Sequence, residues 1–151
     1  MTCEIAEILA KASPLNPLDF ILNKSFASEI FDVVIIANTK SDIYLAQIIR
    51  NSMGGVFSIP VATEITEKVM TFLEKNEFNI AAAALDHKAN HYKRVKYKRP
   101  LALVFGTEDK GLDQKWLKKA QQIVKIPVKL PIDSLNLSVS AGILMYHCGD
   151  Q

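Results

Sequence analysis

The architecture follows from the residues Leu101-Ala102-Leu103-Val104-Phe105-Gly106-Thr107-Glu108-Asp109-Lys110-Gly111-Leu112. The first five of them are apolar without interruption, which is typical of a strand that is buried on both faces of a parallel sheet. The strand leads into a loop with two glycines, and helix-forming residues follow. In parallel α/β sheets, ligands collect at the carboxyl ends of strands, and glycine lets the loop backbone approach a ligand closely. These residues therefore predict an α/β fold with a binding site at the end of this strand.

The rest of the chain repeats the alternation of strand and helix. Val33–Ala37 is a second unbroken apolar run, rich in β-branched residues, and it predicts another buried strand. We also expect a strand at Val56–Ile59 and helices at Ile5–Lys11 and Thr63–Lys75. Thr63 is expected to be the N-cap of the second helix. These elements predict an α/β fold with a mostly parallel sheet and helices on both of its faces.

Composition predicts one domain over residues 1–151. The chain is 49% hydrophobic, which is enough for a sizeable core, and its net charge of +2 places any affinity for nucleic acid in local patches. Cys3 and Cys148 lie far apart without metal-ligand spacing and predict two reduced thiols in a cytoplasmic protein. The acidic start does not resemble a secretion signal, and no apolar run approaches the roughly 18 to 20 residues that span a bilayer. We therefore expect no membrane partner.

The glycine pattern of the first loop excludes two common classes of nucleotide site. Gly106 and Gly111 are not followed by the Lys-Ser or Lys-Thr pair of a phosphate-binding loop, and they lack the three-glycine spacing of a dinucleotide site. We therefore set aside ATP and NAD as ligands.

A second segment, Ile126–Ala141, joins an extended loop to the start of a helix. Two prolines hold the loop extended, and small polar residues then alternate with apolar ones before an apolar helix. By itself this pattern is typical of a helix start, at which Ser134 or Asn136 caps the first turn.

The two segments resemble the second and third signature motifs of the SpoU (TrmH-like) branch of the SPOUT methyltransferases. Gly106-Thr107-Glu108 with Gly111-Leu112 is similar to the second motif, and Ile126-Pro127 followed by Asp133-Ser134-Leu135-Asn136-Leu137-Ser138-Val139 is similar to the third. The separations agree as well, with 20 residues from Gly106 to Ile126 and nine from Ile126 to Leu135. The likeness covers about residues 30 to 148.

The resemblance implies a particular fold and cofactor. Members of this family have a parallel α/β sheet whose C-terminal segment is threaded through a loop to form a deep trefoil knot, an exception among protein folds. The resemblance implies that S-adenosyl-L-methionine is bound in the knotted region by backbone groups of Gly106, Ile126 and Leu135. The residues themselves agree with this, because main-chain groups at these loop positions are not committed to strand pairing. Family members are usually dimers, so we expect a homodimer.

The resemblance also implies the reaction, which is methyl transfer to a ribose 2′-hydroxyl of rRNA or tRNA. Ser134 and Asn136 are expected to shape the site around the donor and the acceptor ribose, and Glu108 to assist in positioning the RNA. The sulfonium of the donor supplies the leaving group, so no metal ion is expected, and the three histidines of the chain lack ligand spacing.

The first motif of the family, Asn-x-Gly-x-x-x-Arg, is degenerate in this chain. In the family, the arginine of this motif is held to weaken the bond between the attacking hydroxyl and its proton. Counting back from Phe31-Asp32 places Lys24 at the arginine position. Counting from Asn16-Pro17 instead places Ser25 there and Asp19 at the asparagine position. Lys24 is our catalytic candidate, although lysine lacks the planar fork of arginine. We also expect the domain to lack the usual first strand and N-terminal extension.

Two basic regions are candidates for RNA contacts. Arg50 lies at the end of a predicted helix, where a favourable charge at the helix terminus explains it as well as a substrate contact does. Arg94 and Lys96 belong to a basic run, which also contains Lys88, Lys93, Lys98 and Arg99. Histidines and tyrosines are interleaved with these cations, and such a run is either a solvated loop or an RNA-contact patch.

Two alternatives stand beside an active RNA 2′-O-ribose methyltransferase. The first is a knotted RNA- or donor-binding module that lost catalysis together with its first motif. The second is a fragment of a protein with an N-terminal RNA-binding extension. The second and third motifs are compatible with all of these interpretations.

Overall fold

The chain alternates strands with helices. A computed structural model describes residues 6–11, 33–38, 42, 44–51, 57, 60–107, 111–128 and 135–149. Their elements are β1 (Ala6–Lys11), β2 (Val33–Ala37), α1 (Ala46–Asn51), β3 (Val61–Glu64), α2 (Thr66–Lys75), β4 (Asn79–Ala83), β5 (Asn90–His91), a 3₁₀ turn (Tyr92–Arg94), β6 (Leu101–Phe105), α3 (Gln114–Lys119), β7 (Gln122–Lys125) and α4 (Leu137–Gly149). No helix among these residues has the length and apolar character needed to cross a membrane.

The strands form one mostly parallel sheet in the order β3-β2-β1-β6-β4-β7-β5. β1 is antiparallel to both neighbours, with Ile8 opposite Ile35 on one side and Val104 on the other. The remaining neighbouring pairs are parallel. Because β2 and β6 both oppose β1, every described strand except β1 runs in the same direction. Their carboxyl ends therefore lie along one edge of the sheet, which we call the carboxyl edge.

Helices cover both faces of this sheet, as the sequence predicted. Alternate residues of β6 are buried in two separate cores: Ala102 and Val104 pack with α2 and α3, whereas Leu101, Leu103 and Phe105 pack with α4. The helix residues in these cores include Leu73 and Trp116 on the first face and Leu144 and Cys148 on the second. The α/β class and the mostly parallel sheet are therefore confirmed.

The N-terminal strand corrects one prediction. Ile5–Lys11 was expected to be a helix and the usual first strand to be absent, but Ala6–Lys11 is a strand. Its backbone completes the ladder between β2 and β6. Pairing on both sides satisfies that backbone and overrides the high helix propensity of Ala, Glu, Leu and Lys.

The start of α2 corrects a second prediction. Val61–Glu64 is a strand, so Thr63 is a strand residue and not the N-cap of α2. Of the strand expected at Val56–Ile59, only Phe57 lies within the described residues, and it is not part of a strand. The cap comes from another element, because Asn38 Oδ1 accepts a hydrogen bond from Thr66 N at 3.0 Å, and Asn38 Nδ2 donates to Thr66 Oγ1 at 2.8 Å. A side chain distant in sequence therefore caps the helix in place of the local residue that the pattern predicts.

The end of α4 is fixed by a buried thiol and an arginine. Cys148 is a free cysteine with no exposed surface, and the Arg99 guanidinium donates to its carbonyl oxygen at 2.7 Å. Burial raises the pKa of Cys148 to about 12, against the opposing influence of Arg99 and of a hydrogen bond with Tyr97. The thiol is therefore protonated and unreactive at neutral pH. Cys3 lies outside the described residues.

Candidate functional site

A cavity of about 530 Å³ opens at the carboxyl edge, beyond the ends of β4, β6 and β7. Phe105, Val124 and Leu144 line it and are almost completely buried, so part of its wall is apolar. The loops that follow the three strands and the start of α4 contribute the rest of the lining. This volume lies within the range of roughly 300–1,000 Å³ that is usual for small-molecule sites.

The loop after β6 needs both of its glycines. Thr107 and Gly111 exchange two backbone hydrogen bonds, at 3.1 and 2.9 Å, and Gly111 has a φ of +67°, which favours glycine. A Cβ on Gly106 would overlap the backbone of Gly111 and Leu112. Both glycines line the cavity, so the loop presents main chain and not side chain at these points. Glu108 lies outside the described residues.

The other two predicted cofactor positions line the same cavity. Ile126 directly follows β7, and Leu135 lies two residues before the first residue of α4. Both are half-buried. The structure therefore brings Gly106, Ile126 and Leu135 together around one space, although they come from three separate loops.

Asn136, which also lines the cavity, is the N-cap of α4. Its Oδ1 accepts a hydrogen bond from Ser138 N at 2.9 Å, and its carbonyl oxygen accepts from Ser140 N at 3.0 Å. The helix-start interpretation of the sequence is therefore confirmed for Asn136, and its catalytic role stays a prediction. Ser134 lies outside the described residues.

The cap makes Asn136 sensitive to substitution. Asn136→Ala removes the acceptor for Ser138 N and is expected to lower the free energy of unfolding by about 1 kcal/mol. Asn136→Asp keeps an acceptor at the same place and adds a charge that favours a helix N-terminus, so its stability should match or exceed that of the wild type. Urea unfolding of the two variants measures the difference, and an equal loss in both would contradict the capping role.

The sequence analysis missed the residues that β4 brings to the cavity. Ala83, Ala84, Leu85 and Asp86 all line it. β4 lies between β6 and β7 in the sheet, so the rule that pointed to the end of β6 applies equally to the end of β4. The available signal was Asp86, a carboxylate that follows a short alanine-rich strand within three residues.

Three of the candidate RNA-contact residues, Arg50, Arg94 and Lys96, do not belong to the described cavity lining. Arg50 is exposed in the last turn of α1, Arg94 is exposed at the end of the 3₁₀ turn, and Lys96 is exposed two residues later. Lys24, the catalytic candidate of the first motif, lies outside the described residues. The structure therefore groups the donor positions and places Arg50, Arg94 and Lys96 on the surface.

The basic run, residues 88–99, is held along the edge of the sheet and is here called the basic segment. Its strand β5 pairs with β7, placing His91 opposite Lys125, and its Val95 is buried. Gln122 Nε2 donates to the carbonyl oxygen of Lys96 at 3.0 Å. The cations Lys88, Lys93, Arg94, Lys96 and Lys98 are exposed. The backbone of the segment is thus fixed while its positive charges face solvent.

Aromatic contacts attach the basic segment to α4. The Tyr92 ring stacks on His91 with centroids 5.2 Å apart and meets the edge of His147 at 5.1 Å. The hydroxyl of Tyr97 donates to the carbonyl oxygen of Tyr92 at 3.1 Å, and burial raises the pKa of Tyr97. Nowhere in the described ranges do three His, Cys, Asp or Glu side chains gather in a way that could hold a metal ion.

Known proteins match this chain in sequence and in structure. The model of the SpoU rRNA Methylase family matches residues 20–146. An uncharacterised tRNA/rRNA methyltransferase of Mycoplasma pneumoniae is 35% identical over 130 residues, which cover 83% of this chain and 52% of that protein. A crystal structure of an RNA 2′-O ribose methyltransferase gives a TM-score of 0.75 at 32% identity, covering 93% of this chain and 54% of that one. An AdoMet-bound rRNA methyltransferase from Sinorhizobium meliloti gives 0.71 at 27% identity, covering 76% and 44%.

These matches extend over most of the chain. The chain spans about half the length of the relatives that it matches. The family match includes β2 to β7 and the loops that line the cavity. The chain belongs to the SpoU rRNA methylase family.

Proposed function

We propose that this protein transfers a methyl group from S-adenosyl-L-methionine to a ribose 2′-hydroxyl of tRNA or rRNA. One observation carries the proposal: Gly106, Ile126 and Leu135, at which the resemblance places the donor, line a single cavity. The solved relatives support it, because they include an RNA 2′-O ribose methyltransferase and an AdoMet-bound rRNA methyltransferase. The alternative of a binding module without catalysis is not favoured, since the matched proteins named above are methyltransferases.

The cavity fits the donor chemically. The buried apolar wall suits an adenine ring. Gly106 and Ile126 lie just beyond the paired residues of β6 and β7, where main-chain groups are positioned to meet polar atoms of the donor. Asp86 and Lys125 add one negative and one positive residue to the described lining. A donor with an aromatic base, a flexible chain and charged ends matches this set.

The chain has two tasks in the reaction. When bound, the donor supplies a methyl group on a positively charged sulfur, and the thioether is the leaving group. The protein must align the attacking hydroxyl with that methyl group. It must also remove the hydroxyl proton or weaken its bond to the oxygen. We assign Asn136 and Ser134 to positioning of the acceptor ribose, since Asn136 lies on the cavity lining. Lys24 would favour the developing alkoxide by its charge, with less directional control than an arginine has.

We propose that the basic segment holds the RNA. It begins beside the cavity, because His91 is opposite Lys125 and Lys125 lines the cavity. Residues 88–99 contain no acidic side chain, so Arg94 and Lys96 lie in a field that attracts phosphates. Arg50 and Glu108 are assigned to further RNA contacts.

The C-terminal third is proposed to form the deep trefoil knot of the family within a single domain of residues 1–151. The loop after β6 and the residues on both sides of segment 129–134 line one cavity, as threading of the chain would require. The protein is proposed to act in the cytoplasm. It is also proposed to act without a metal ion, because the sulfonium itself provides the leaving group.

A homodimer is the proposed oligomeric state. α4 buries Ala141, Leu144 and Cys148, yet its opposite side is also apolar, with Val139 50% exposed and Tyr146 66% exposed. These two residues are seven positions apart and share a face of the helix. A helix that is apolar on all sides is normally covered on all sides, and a second copy would supply that cover.

Tyr146→Asp is expected to convert the dimer to a monomer, because it places a charge in the proposed interface. Multi-angle light scattering measures the mass, and Lys118→Asp on the opposite face of the sheet is the control. A monomeric wild-type protein at tens of micromolar would contradict the dimer.

Transfer of labelled methyl groups tests the function. The protein is incubated with methyl-tritiated S-adenosyl-L-methionine and total RNA, and the RNA is then digested with alkali. A 2′-O-methyl group blocks alkaline cleavage, so we expect the label in alkali-resistant dinucleotides. Absence of transfer by a protein that binds the donor would contradict the catalytic claim. Label in mononucleotides would indicate methylation of a base instead of a ribose. A reaction without RNA is the control.

A further inference from the structure

Asp86 is the single carboxylate side chain among the described residues that line the cavity. It follows β4, the strand between β6 and β7, and therefore lies between the loops that carry Gly106 and Ile126. Its side chain is 23% exposed, so it is mostly withdrawn from solvent. A charge in such a position interacts more strongly with its neighbours than a charge on the open surface does.

The turn after β4 fixes this carboxylate but does not require its charge. Asp86 Oδ1 accepts a hydrogen bond from Lys88 N at 2.7 Å, and the Asp86 carbonyl oxygen accepts from Ala89 N at 3.0 Å. An asparagine makes the same turn with its amide oxygen. His87 Nδ1 is 3.3 Å from Oδ1, but the His87 side chain is exposed, so solvent screens its charge. The negative charge of Asp86 therefore needs an explanation beyond the local fold.

A carboxylate is unfavourable in a site that must approach RNA, because it repels phosphates. It becomes favourable when it meets a cation, and the methyl donor carries two cationic groups, the α-ammonium and the sulfonium. We propose that Asp86 binds a cationic group of the donor. This inference rests on the proposed function, and it adds a donor-binding residue outside the three motifs. If the group is the sulfonium, the attraction disappears when the methyl group leaves, which favours release of the neutral thioether product.

Three ligands and two variants test the inference by isothermal titration calorimetry. S-Adenosylmethionine carries both cationic groups, S-adenosylhomocysteine carries only the ammonium, and 5′-methylthioadenosine carries neither. Asp86→Asn keeps the turn and removes the charge. Asp113→Asn is the matched control, because Asp113 Oδ1 caps α3 in the same way, accepting from Lys115 N at 2.8 Å, but does not line the cavity.

Asp86→Asn is expected to weaken binding of S-adenosylmethionine about tenfold, the usual scale for loss of one charge-assisted contact. It should leave 5′-methylthioadenosine unchanged. Unchanged binding of S-adenosylhomocysteine assigns the contact to the sulfonium, and an equally weakened one assigns it to the ammonium. Asp113→Asn should bind all three ligands as the wild type does.

Equal affinities of Asp86→Asn and wild type for S-adenosylmethionine would overturn the inference. A comparable loss for all three ligands would also overturn it, since that result indicates a purely structural role. A wild-type protein that binds none of the three overturns the proposed function and, with it, this inference. Ligand binding by the wild-type protein therefore distinguishes failure of this inference from failure of the proposed function.

Discussion

Gly106→Ala is expected to reduce the affinity for S-adenosylmethionine by at least about 100-fold and to abolish methyl transfer. The added Cβ would overlap the backbone atoms of Gly111 and Leu112, so the loop after β6 must move to accommodate it. That loop lines the proposed donor cavity, and its main chain cannot move without changing the positions offered to the ligand. Misplacing a binding group by about 1 Å is enough for losses of this size.

A control separates loss of the loop geometry from a general effect of alanine. A Cβ added at Gly142, in α4, would meet no atom of another element within 4 Å, so Gly142→Ala should bind the donor normally. It should also raise the free energy of unfolding by about 0.5–1 kcal/mol, because glycine weakens a helix interior. Calorimetric titration and thermal unfolding of both variants provide the measurements. Donor binding by Gly106→Ala within about threefold of the wild type would contradict the assignment of the cavity.

The double variant Arg94→Glu, Lys96→Glu is expected to weaken RNA binding by more than about tenfold at physiological salt. Each residue that contacts a phosphate releases counterions, so the slope of log affinity against log salt should also become shallower by about 1 to 2. Donor binding should stay unchanged, because neither residue lines the cavity. Fluorescence anisotropy with labelled RNA at several salt concentrations measures both quantities.

The matched control for this variant is Lys75→Glu, Lys118→Glu. These lysines are exposed on α2 and α3, which cover the face of the sheet opposite α4, and their replacement changes net charge by the same amount. If the control weakens RNA binding as much as the first pair does, the effect is one of overall charge. That result would contradict a specific role of the basic segment.

Strands made of an unbroken apolar run were predictable from the sequence, because such a run fits a position in the sheet that is covered on both faces. Val33–Ala37 and Leu101–Phe105 match the predicted bounds for this reason. β1 was not predictable from its own residues. Ala6–Lys11 is composed of good helix formers, and its strand state comes from pairing with residues 33–37 and 101–104, far away in the sequence.

Within the site, the glycine loop was predictable and the β4 contribution was not. Gly106 carries a local signal, since glycine after a buried strand suggests a close approach of backbone. Asp86 carries a weaker one, a carboxylate soon after a short alanine-rich strand, because its position in the cavity depends on β4 lying between β6 and β7. The capping of α2 by Asn38 was hidden for the same reason.

A crystal structure of the protein with S-adenosylhomocysteine tests the central claim most directly. The account predicts ligand density in the cavity beyond β4, β6 and β7, with polar atoms of the ligand within hydrogen-bond distance of the backbone at Gly106, Ile126 and Leu135. The same structure would report the threading of the C-terminal segment and the position of Lys24. Ligand bound elsewhere on the protein, or an empty cavity at a saturating ligand concentration, would contradict the account.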